Sequence, residues 1–271
     1  MTTTLLTNIK EFTKDWKARL KDRLDGQAAN LFIIQAGDVE ASNRYVRNKV
    51  KDAEEIGIRA EVVKFPEDVA QETIETALHQ IVYGADDVPT GIIIQLPLPA
   101  HLDKDRLTNM IPKEMDVDGF RGDSPFYPCT PLGIVEYLRE CGFPFEGSNV
   151  VVIGRSEIVG KPVAQMLTDL NCTVTLCHSK TKNIHTFINS ADLVVCAVGK
   201  AKFLNCYAIH VPVIDVGINF IVNEEGKSQL VGDAFNTENR NVTPVPGGVG
   251  LLTRCALMEN MVRAVEVKNA D

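Results

Sequence analysis

Short apolar runs alternate along the chain with segments whose apolar positions recur at the spacing of a helix. From residue 30 onward this alternation is typical of an α/β architecture with a parallel sheet. Ser42 is the predicted cap of the first helix in this pattern, and Gly57 ends it. We predict a first unit with strands over residues 31–35, 61–65 and 91–95 and helices over about 42–56 and 69–83.

A second unit of the same kind begins near Pro128. Its first helix is predicted to start with Thr130 as a cap and Pro131 in the first turn. The final helix is long enough to return to the first unit, so we expect helices to join the two lobes. The predicted elements are helices over about 131–141, 162–170, 184–189 and 252–267 and strands over 149–153, 173–177, 193–198 and 213–216.

The composition is that of a globular protein with a sizeable core. The chain has 271 residues, of which 45% are hydrophobic and 24% charged. A formal net charge of -8 argues against a nucleic-acid partner, because binding that backbone needs clustered Lys and Arg. The first fifteen residues lack the apolar run of an export signal, and no apolar stretch is long enough to cross a bilayer. We therefore expect a soluble protein without a membrane partner.

The cysteine pattern favours a reducing compartment. The seven cysteines include no CxxC pair, and an odd number cannot form a closed set of disulfides. Cys172 and Cys177 flank a predicted strand and are interpreted as packing residues. The five histidines form no HExxH or similar cluster, so we predict no metal site.

Gly154 and Gly160 lie between a predicted strand and a predicted helix. In that position a dinucleotide pyrophosphate can meet free backbone N–H groups and the positive end of the helix dipole. The spacing is GxSxxxG rather than GxGxxG, so an ordinary strand-to-helix turn is the alternative.

The next strand ends without the carboxylate that would select NAD through the ribose 2′-hydroxyl. The sequence there is instead Cys177-His-Ser179-Lys-Thr-Lys182, and Arg155 projects from the glycine turn. Hydroxyl and cationic groups suit a 2′-phosphate, so NADP is predicted over NAD. Lys182 is interpreted as a solvated surface charge.

Tyr45 and Lys49 are four residues apart on the first predicted helix and therefore share a face. That face borders an apolar stripe, and burial there would favour the neutral amine that acid/base chemistry needs. An exposed helix lysine is the commoner outcome for such a pair. Short-chain dehydrogenases also use a YxxxK pair, but theirs follows the nucleotide fold, whereas this one precedes it.

Several segments, taken in order, resemble the bifunctional methylenetetrahydrofolate dehydrogenase/cyclohydrolase family. The resemblance covers about residues 28–262, and the ordered set is far more specific than any one member. The segments are residues 41–49 with 54–57, then 95–99, 116–120, 128–131, 154–160, 178–181, 215–219 and 243–250.

The resemblance implies a role for individual residues. Lys49 is implied as the central catalytic residue, Gln95 as its hydrogen-bond partner, Tyr45 as a ring stacked on the folate and Asp118 as the anchor of the pterin; Ser42 and Pro246 join Tyr45 and Asp118 in binding the substrate. The implied cofactor-binding residues are Gly154, Arg155, Ser156, Ile158, Ser179, Ile218, Gly250 and Thr253.

The resemblance also implies the architecture. We expect an α/β fold of two lobes: an α/β catalytic, folate-binding domain from residues 1–120 plus 252–271, and a Rossmann-like doubly wound nucleotide-binding domain from residues 128–250. Long helices would join them, with a cleft between. A cytoplasmic homodimer, paired through the nucleotide lobe, is implied as well.

The implied chemistry has two steps. 5,10-Methylenetetrahydrofolate gives up a hydride to NADP⁺, and water then opens the methenyl product to 10-formyltetrahydrofolate. The alternatives are a monofunctional or NAD-preferring dehydrogenase and a non-catalytic, nucleotide-binding regulatory paralogue. They are motivated by departures from the family pattern, chiefly a shortened loop over residues 121–127; the others lie at residues 38–42, 208–212 and 247–253.

Overall fold

The computed structural model describes residues 8–85, 88–222, 226–238 and 241–270. The chain divides into two compact units by its internal contacts. The first unit contains Asp15–Cys129 and Arg254–Asp271. The second contains Thr130–Thr253 and, from the first helix, the residues up to Lys14.

The first unit is built on a parallel sheet of strands β1 (Asn30–Ala36), β2 (Arg59–Phe65) and β3 (Thr90–Ile94). The strand order is β2-β1-β3, so the chain places β2 on one side of β1 and then crosses back to place β3 on the other side. The carboxyl edge beside β1 and β3 is therefore a topological switch point, where open α/β sheets bind their ligands.

Helices cover this sheet and connect its strands. They are α1 (Ile9–Leu24), α2 (Glu40–Ile56), α3 (Gln71–Tyr83), α4 (Lys104–Met110) and the unit's share of α5 (Cys129–Glu140) and α8 (Val249–Ala270). Every residue of β3 is buried, as expected for a strand packed on both faces. The core on one side of the sheet includes Ile34, Ile74, Leu78, Ile92 and Leu107.

The second unit contains a four-stranded parallel sheet of strands β4 (Asn149–Ile153), β5 (Thr173–Cys177), β6 (Leu193–Cys196) and β8 (Val213–Asp215). The strand order is β5-β4-β6-β8, so the switch point lies between β4 and β6. Helix α6 (Gly160–Asp169) follows β4, and helix α7 (Ile184–Ile188) follows β5.

Two small sheets complete the second unit. Strands β9 (Asn219–Val222) and β10 (Ser228–Val231) pair antiparallel, and β7 (Leu204–Asn205) pairs with β11 (Ala234–Phe235). These four strands, α1 and α4 were not predicted from the sequence. The two-lobed α/β class and the predicted parallel-sheet strands are confirmed, with ends shifted by one or two residues.

The predicted helix caps are wrong. Helix α2 begins at Glu40 after Val39, whose side chain makes no capping bond, and Ser42 lies inside the helix. The Asn43 N–H donates to the Val39 carbonyl oxygen at 3.0 Å, so helical bonding begins before Ser42, and the Asn43 side chain donates to Asp38 at 2.9 Å.

Helix α5 likewise begins one residue before its predicted cap. It starts at Cys129, so Thr130 lies within the helix rather than at its cap, and the Thr130 hydroxyl pairs with that of Thr253 at 2.9 Å. Gly57 does end α2, in the left-handed conformation with a φ of 99°.

All seven cysteines are free thiols, six of them buried. Cys177, the last residue of β5, packs in one core with residues of β4 and β6, and the Cys172 thiol donates to the Phe145 carbonyl oxygen at 3.1 Å. The packing interpretation of both is confirmed. Within the described residues, every helix is too short or too polar to span a bilayer.

Candidate active site

Lys49 and Tyr45 form the centre of the candidate site in the first unit. Lys49 is a buried lysine, with 5% of its surface exposed. Its Nζ lies 5.3 Å from the centroid of the Tyr45 ring, one turn earlier on α2. An ammonium at this distance is attracted to the ring face. The structure therefore confirms that the two side chains share a face, and that Lys49 is not the exposed lysine of the alternative interpretation.

Cys129 shows which charges surround this position. Burial raises the pKa of its thiol well above the usual value, the Asp118 charge raises it further, and Lys49 acts in the opposite direction. Lys49 and Asp118 therefore both lie within electrostatic range of one buried sulfur. A thiol with a raised pKa is a poor nucleophile, so the chemistry falls to the lysine and the carboxylate.

Gln95 extends the ladder between β1 and β3, because its backbone N–H donates to the Ile34 carbonyl oxygen at 2.8 Å. Its side-chain Nε2 donates to the Leu96 carbonyl oxygen at 2.6 Å. The predicted hydrogen bond to Lys49 is not formed. The Gln95 Oε1 is buried and has no hydrogen-bond partner among the residues that the structure describes. A buried acceptor is thus left available at the switch point.

Asp118 is buried in a turn that only glycine can complete. Gly119 has a φ of 69°, and a Cβ there would lie 2.6 Å from the Tyr127 carbonyl carbon. The turn brings the chain back so that the Cys129 N–H donates to the Asp118 carbonyl oxygen at 3.3 Å. The turn at Asp118-Gly119-Phe120 therefore holds Asp118 next to the first residue of α5.

The shortened loop over residues 121–127 is held in place by its own side chains. Arg121 donates to the carbonyl oxygens of Asn109 and Ile111 at 2.5 and 2.9 Å and pairs with Asp123. Asp116, which is 1% exposed, accepts the Arg121 backbone N–H at 2.8 Å. Burial raises the pKa of Asp116 despite such hydrogen bonds. The short loop is thus bonded to the rest of the unit through Arg121.

Sequence reasoning missed two buried polar residues that hold the site. The Asn260 amide, fully buried on α8, donates to the carbonyl oxygens of Val117 and Tyr127 at 2.9 Å each. Asp52, one turn after Lys49, pairs with Lys17 and Arg254 at 3.0 Å each. Asn260 could have been noticed in the sequence as a polar residue in an apolar stretch of the last helix. Nothing in the sequence singles out Asp52, whose ion pairs are visible only in the structure.

Gly154 in the second unit shapes the turn between β4 and α6. Its φ is 120°, and a Cβ there would collide with the Ala197 carbonyl oxygen at the end of β6. A Cβ on Gly160 would collide with the Gly154 carbonyl group. The two glycines therefore let the turn pack closely against the residue after β6 and against the start of α6. A turn of this kind, at the start of a helix, is where a dinucleotide pyrophosphate can bind backbone N–H groups.

The side chains predicted for NADP lie around this turn. Arg155, Ser156 and Ser179 are exposed, and Ile158 is half-buried. The Ser156 hydroxyl accepts the Gly160 N–H at 3.3 Å, which closes the turn. The loop that carries Ser179 is held by a bond of 2.9 Å from the His178 N–H to Thr181 Oγ1. Exposed side chains that suit a phosphate therefore follow both β4, with Arg155 and Ser156, and β5, with Ser179.

The remaining predicted residues meet near the start of α8. A Cβ on Gly250 would lie 4.0 Å from Cδ1 of Ile218, whose side chain is 54% exposed. The Thr253 hydroxyl bonds within the unit, to Thr130 and to the Val249 carbonyl oxygen. Pro246 is exposed in the glycine-rich loop before the helix. Ile218 and Gly250 thus lie together, while the hydroxyl of Thr253 is engaged inside the protein.

Comparison with known proteins decides the family. Residues 3–118 match the tetrahydrofolate dehydrogenase/cyclohydrolase catalytic domain, and residues 128–269 match the NAD(P)-binding domain of the same family. This chain belongs to the tetrahydrofolate dehydrogenase/cyclohydrolase family. The resemblance drawn from the ordered motifs is confirmed.

Individual relatives agree over nearly the whole length. The chain is 40% identical to the bifunctional protein FolD of Lysinibacillus sphaericus, over 93% of this chain and 92% of that protein. It superposes with a TM-score of 0.86 and 36% identity on the FolD dehydrogenase/cyclohydrolase of Campylobacter jejuni, covering 97% and 98% of the two chains. The Trypanosoma brucei FolD, solved with NADP and an inhibitor, gives 0.89 and 30%, with 98% of each chain covered.

The family assignment gives the two units their names. The first unit, with Tyr45, Lys49, Gln95 and Asp118, corresponds to the family's catalytic domain, and the second, with Gly154 and its neighbours, corresponds to the NAD(P)-binding domain. They are called the catalytic and nucleotide units below.

Proposed function

We propose that this protein oxidises 5,10-methylenetetrahydrofolate with NADP⁺ and hydrolyses the 5,10-methenyl product to 10-formyltetrahydrofolate. The observation that carries the proposal is the buried Lys49 packed against Tyr45, on the catalytic unit of a family whose named members are bifunctional. A buried lysine is rare unless it is used or paired.

The folate ring system is bound by stacking and by a carboxylate. Tyr45 is half-buried and offers a ring face, and Asp118 offers two acceptor oxygens from a fixed turn. A pterin presents a flat aromatic surface and adjacent N–H donors, which these groups recognise together. Ser42 lies on the same helix, one turn before Tyr45. The reacting carbon is thereby placed near Lys49.

The nucleotide unit holds NADP at the carboxyl edge of its sheet. Gly154, Ser156 and Gly160 form the turn that takes the pyrophosphate, and Arg155 with Ser179 binds the 2′-phosphate. Ile218 and Gly250 lie on the nicotinamide side. When bound, NADP⁺ accepts the hydride; the protein supplies position and orientation rather than proton chemistry in this step.

Hydrolysis of the methenyl compound uses the catalytic unit alone. The oxygen of water bonds to the methenyl carbon and loses both of its protons, and the bond from this carbon to N5 breaks as N5 takes up one proton; the other proton is released. We assign the proton transfers to Lys49. The unpartnered Gln95 Oε1 is an acceptor that can orient the water or the lysine.

We further propose that the protein is a cytoplasmic homodimer, paired through the nucleotide unit. Strand β9 exposes Phe220 by 58% and Val222 by 74%, next to the exposed Ile218. Apolar side chains on one edge of a small sheet are typical of an interface. Free thiols throughout the chain agree with a reducing compartment.

Two separate assays test the proposed function. Supplied methenyl compound, without any nucleotide, should decay faster with the protein than in buffer. Supplied methylene compound should reduce NADP⁺. Reduction without accelerated hydrolysis would leave a monofunctional dehydrogenase, and neither activity would leave a nucleotide-binding regulatory protein.

A further inference from the structure

Asp233 is a fully buried carboxylate that accepts four hydrogen bonds. Its Oδ2 accepts the backbone N–H groups of Val198 and Gly199 at 2.7 and 2.8 Å. Its Oδ1 accepts the Lys200 N–H and the side-chain amide of Asn219, each at 2.9 Å. Three successive backbone donors on one carboxylate fix the course of the whole turn, because each would otherwise need its own partner.

The turn that Asp233 fixes lies beside the glycine turn of the nucleotide site. It follows β6 directly, and the Ala197 N–H donates to the Ile153 carbonyl oxygen of β4 at 2.8 Å. The Ala197 carbonyl oxygen is the atom that forbids a side chain at Gly154. Residues 198–200 therefore line the switch point on the side away from β5.

A second buried carboxylate anchors Asp233 itself. Asp215 Oδ1 accepts the N–H groups of Gly217 and Asp233 at 2.9 Å each, and its Oδ2 accepts that of Ala234 at 3.0 Å. A Cβ on Gly232 would collide with the Asp215 carboxylate. The loop after β8 and the turn after β6 are thus connected through two carboxylates.

The strand order decides which half of the cofactor these loops face. The sheet runs β5-β4-β6-β8, and the 2′-phosphate of the adenosine half is expected at Ser179, after β5. With the pyrophosphate at the turn after β4, the opposite half must extend over β6 and β8. The Asp233 turn and the loop that carries Ile218 both lie there.

We propose that Asp233 is the positioning residue for the nicotinamide half of the cofactor. Its carboxylate gathers the donors of residues 198–200 and Asn219 away from the ligand, so that the ring meets a rigid turn without free N–H groups. Gly199 and Lys200 are exposed on this turn. The assignment rests on the proposed function, since it presupposes that the nucleotide unit binds NADP.

The test is the NADP⁺ dissociation constant of Asp233→Asn, measured by calorimetry on protein shown to be folded by circular dichroism. One oxygen becomes an NH₂ group that faces two N–H donors, so we expect the constant to rise at least tenfold and the dehydrogenase KM for NADP⁺ to rise with it. Hydrolysis of supplied methenyl compound needs no nucleotide and should stay within twofold of the wild type.

The matched control is Asp192→Asn, which changes an exposed carboxylate that accepts one backbone N–H, from Asn149, at the opposite edge of the same sheet. Its NADP⁺ affinity should be unchanged. If Asp233→Asn does not fold, the NADP⁺ affinity of Gly199→Ala is the test instead. Gly199 has a φ of 66°, which strains an alanine, but no atom lies within 4 Å of the added Cβ. We therefore expect the turn to shift without a collision and the affinity to fall.

A folded Asp233→Asn protein with wild-type NADP⁺ affinity overturns the assignment, as does unchanged affinity in Gly199→Ala if that variant has to decide. Failure of the proposed function is distinguishable, because the wild-type protein would then itself bind no NADP⁺ or lack both activities.

Discussion

The Nζ of Lys49 lies 5.3 Å from the centroid of the Tyr45 ring, and both side chains come from consecutive turns of α2. The arrangement places the proposed acid/base directly beside the ring that is expected to stack on the folate. Proton transfer and substrate binding are thereby assigned to neighbouring positions of one rigid helix, which allows them to be separated by mutation.

Replacing Lys49 with methionine should abolish most of the hydrolysis while leaving NADP⁺ binding intact. Methionine keeps the length and apolar stem but cannot move a proton, and positioned acid/base groups contribute about 10²- to 10⁴-fold. The measurement is the decay of supplied methenyl compound. Lys51→Met, at an exposed position of the same helix, is the control and should behave as wild type. A Lys49→Met protein that hydrolyses normally would remove the lysine from the mechanism.

The Gln95→Met variant should lower the rate of hydrolysis without a matching loss of protein stability. The variant loses the bond from Nε2 to Leu96, worth about 0.5–1.5 kcal/mol, but it also removes a buried acceptor whose lack of a partner costs about 1–3 kcal/mol. The free energy of unfolding in urea should therefore fall by no more than about 0.5 kcal/mol, and it rises by up to about 2.5 kcal/mol if the removed acceptor was the costlier group. Hydrolysis should nonetheless fall at least tenfold. A large loss of stability would show that Gln95 is structural.

Arg155→Gln should shift the preference between the two nucleotides. The guanidinium is exposed and is expected to bind only the 2′-phosphate, and a charge-assisted hydrogen bond is worth about 1.5–3 kcal/mol. The dissociation constant for NADP⁺ should rise about tenfold or more, while that for NAD⁺ stays within about twofold. Lys182→Gln, a surface charge on the next loop, should change neither. Equal losses for both nucleotides would place Arg155 elsewhere in the site.

Glu259 should make the catalytic unit sensitive to acid. Burial acts to raise its pKa, but hydrogen bonds from Arg23 and Trp16, at 2.9 and 3.1 Å, outweigh burial and lower the pKa overall. A lowered carboxyl pKa gives stability that is present above the unfolded value of about 4.3 and is lost as the pH falls through the folded value.

Trp16 is the chain's single tryptophan, so its fluorescence reports this loss directly. Urea unfolding followed by that signal should show the wild type losing stability between about pH 5 and pH 3, while Glu259→Gln, already less stable at neutral pH, loses less over the same range. Glu146→Gln, at an exposed carboxylate, should follow the wild type. Parallel curves for wild type and Glu259→Gln would contradict the assignment.

The central parallel strands could be predicted because they are buried and form short apolar runs, as in β3 and β6. Strand β5 is partly exposed, but the apolar residues within it still gave the correct bounds, 173–177. Helix α1 was not predicted, although its buried residues Ile9, Phe12, Trp16, Leu20 and Leu24 recur at helical spacing, because many of the residues between them are charged. The signal was present in the sequence.

The polar framework could not be predicted in the same way. Asp215, Asp233 and Asn260 are buried only because loops distant in sequence direct N–H or carbonyl groups at them. Lys49 and Tyr45 could be placed on one face from their spacing alone, since helix geometry fixes it. The conformation of Gln95 depends on the local course of the chain after β3, and the expected bond to Lys49 is not formed.

The most direct test of the account is a progress curve with 5,10-methylenetetrahydrofolate and either NADP⁺ or NAD⁺, followed by the absorbance of the methenyl compound. We predict that with NADP⁺ the methenyl compound rises transiently and then decays to 10-formyltetrahydrofolate faster than in buffer, and that NAD⁺ gives a slower rise. A methenyl compound that accumulates and decays no faster than in buffer would contradict the proposed second activity, and no product with either nucleotide would contradict the whole account.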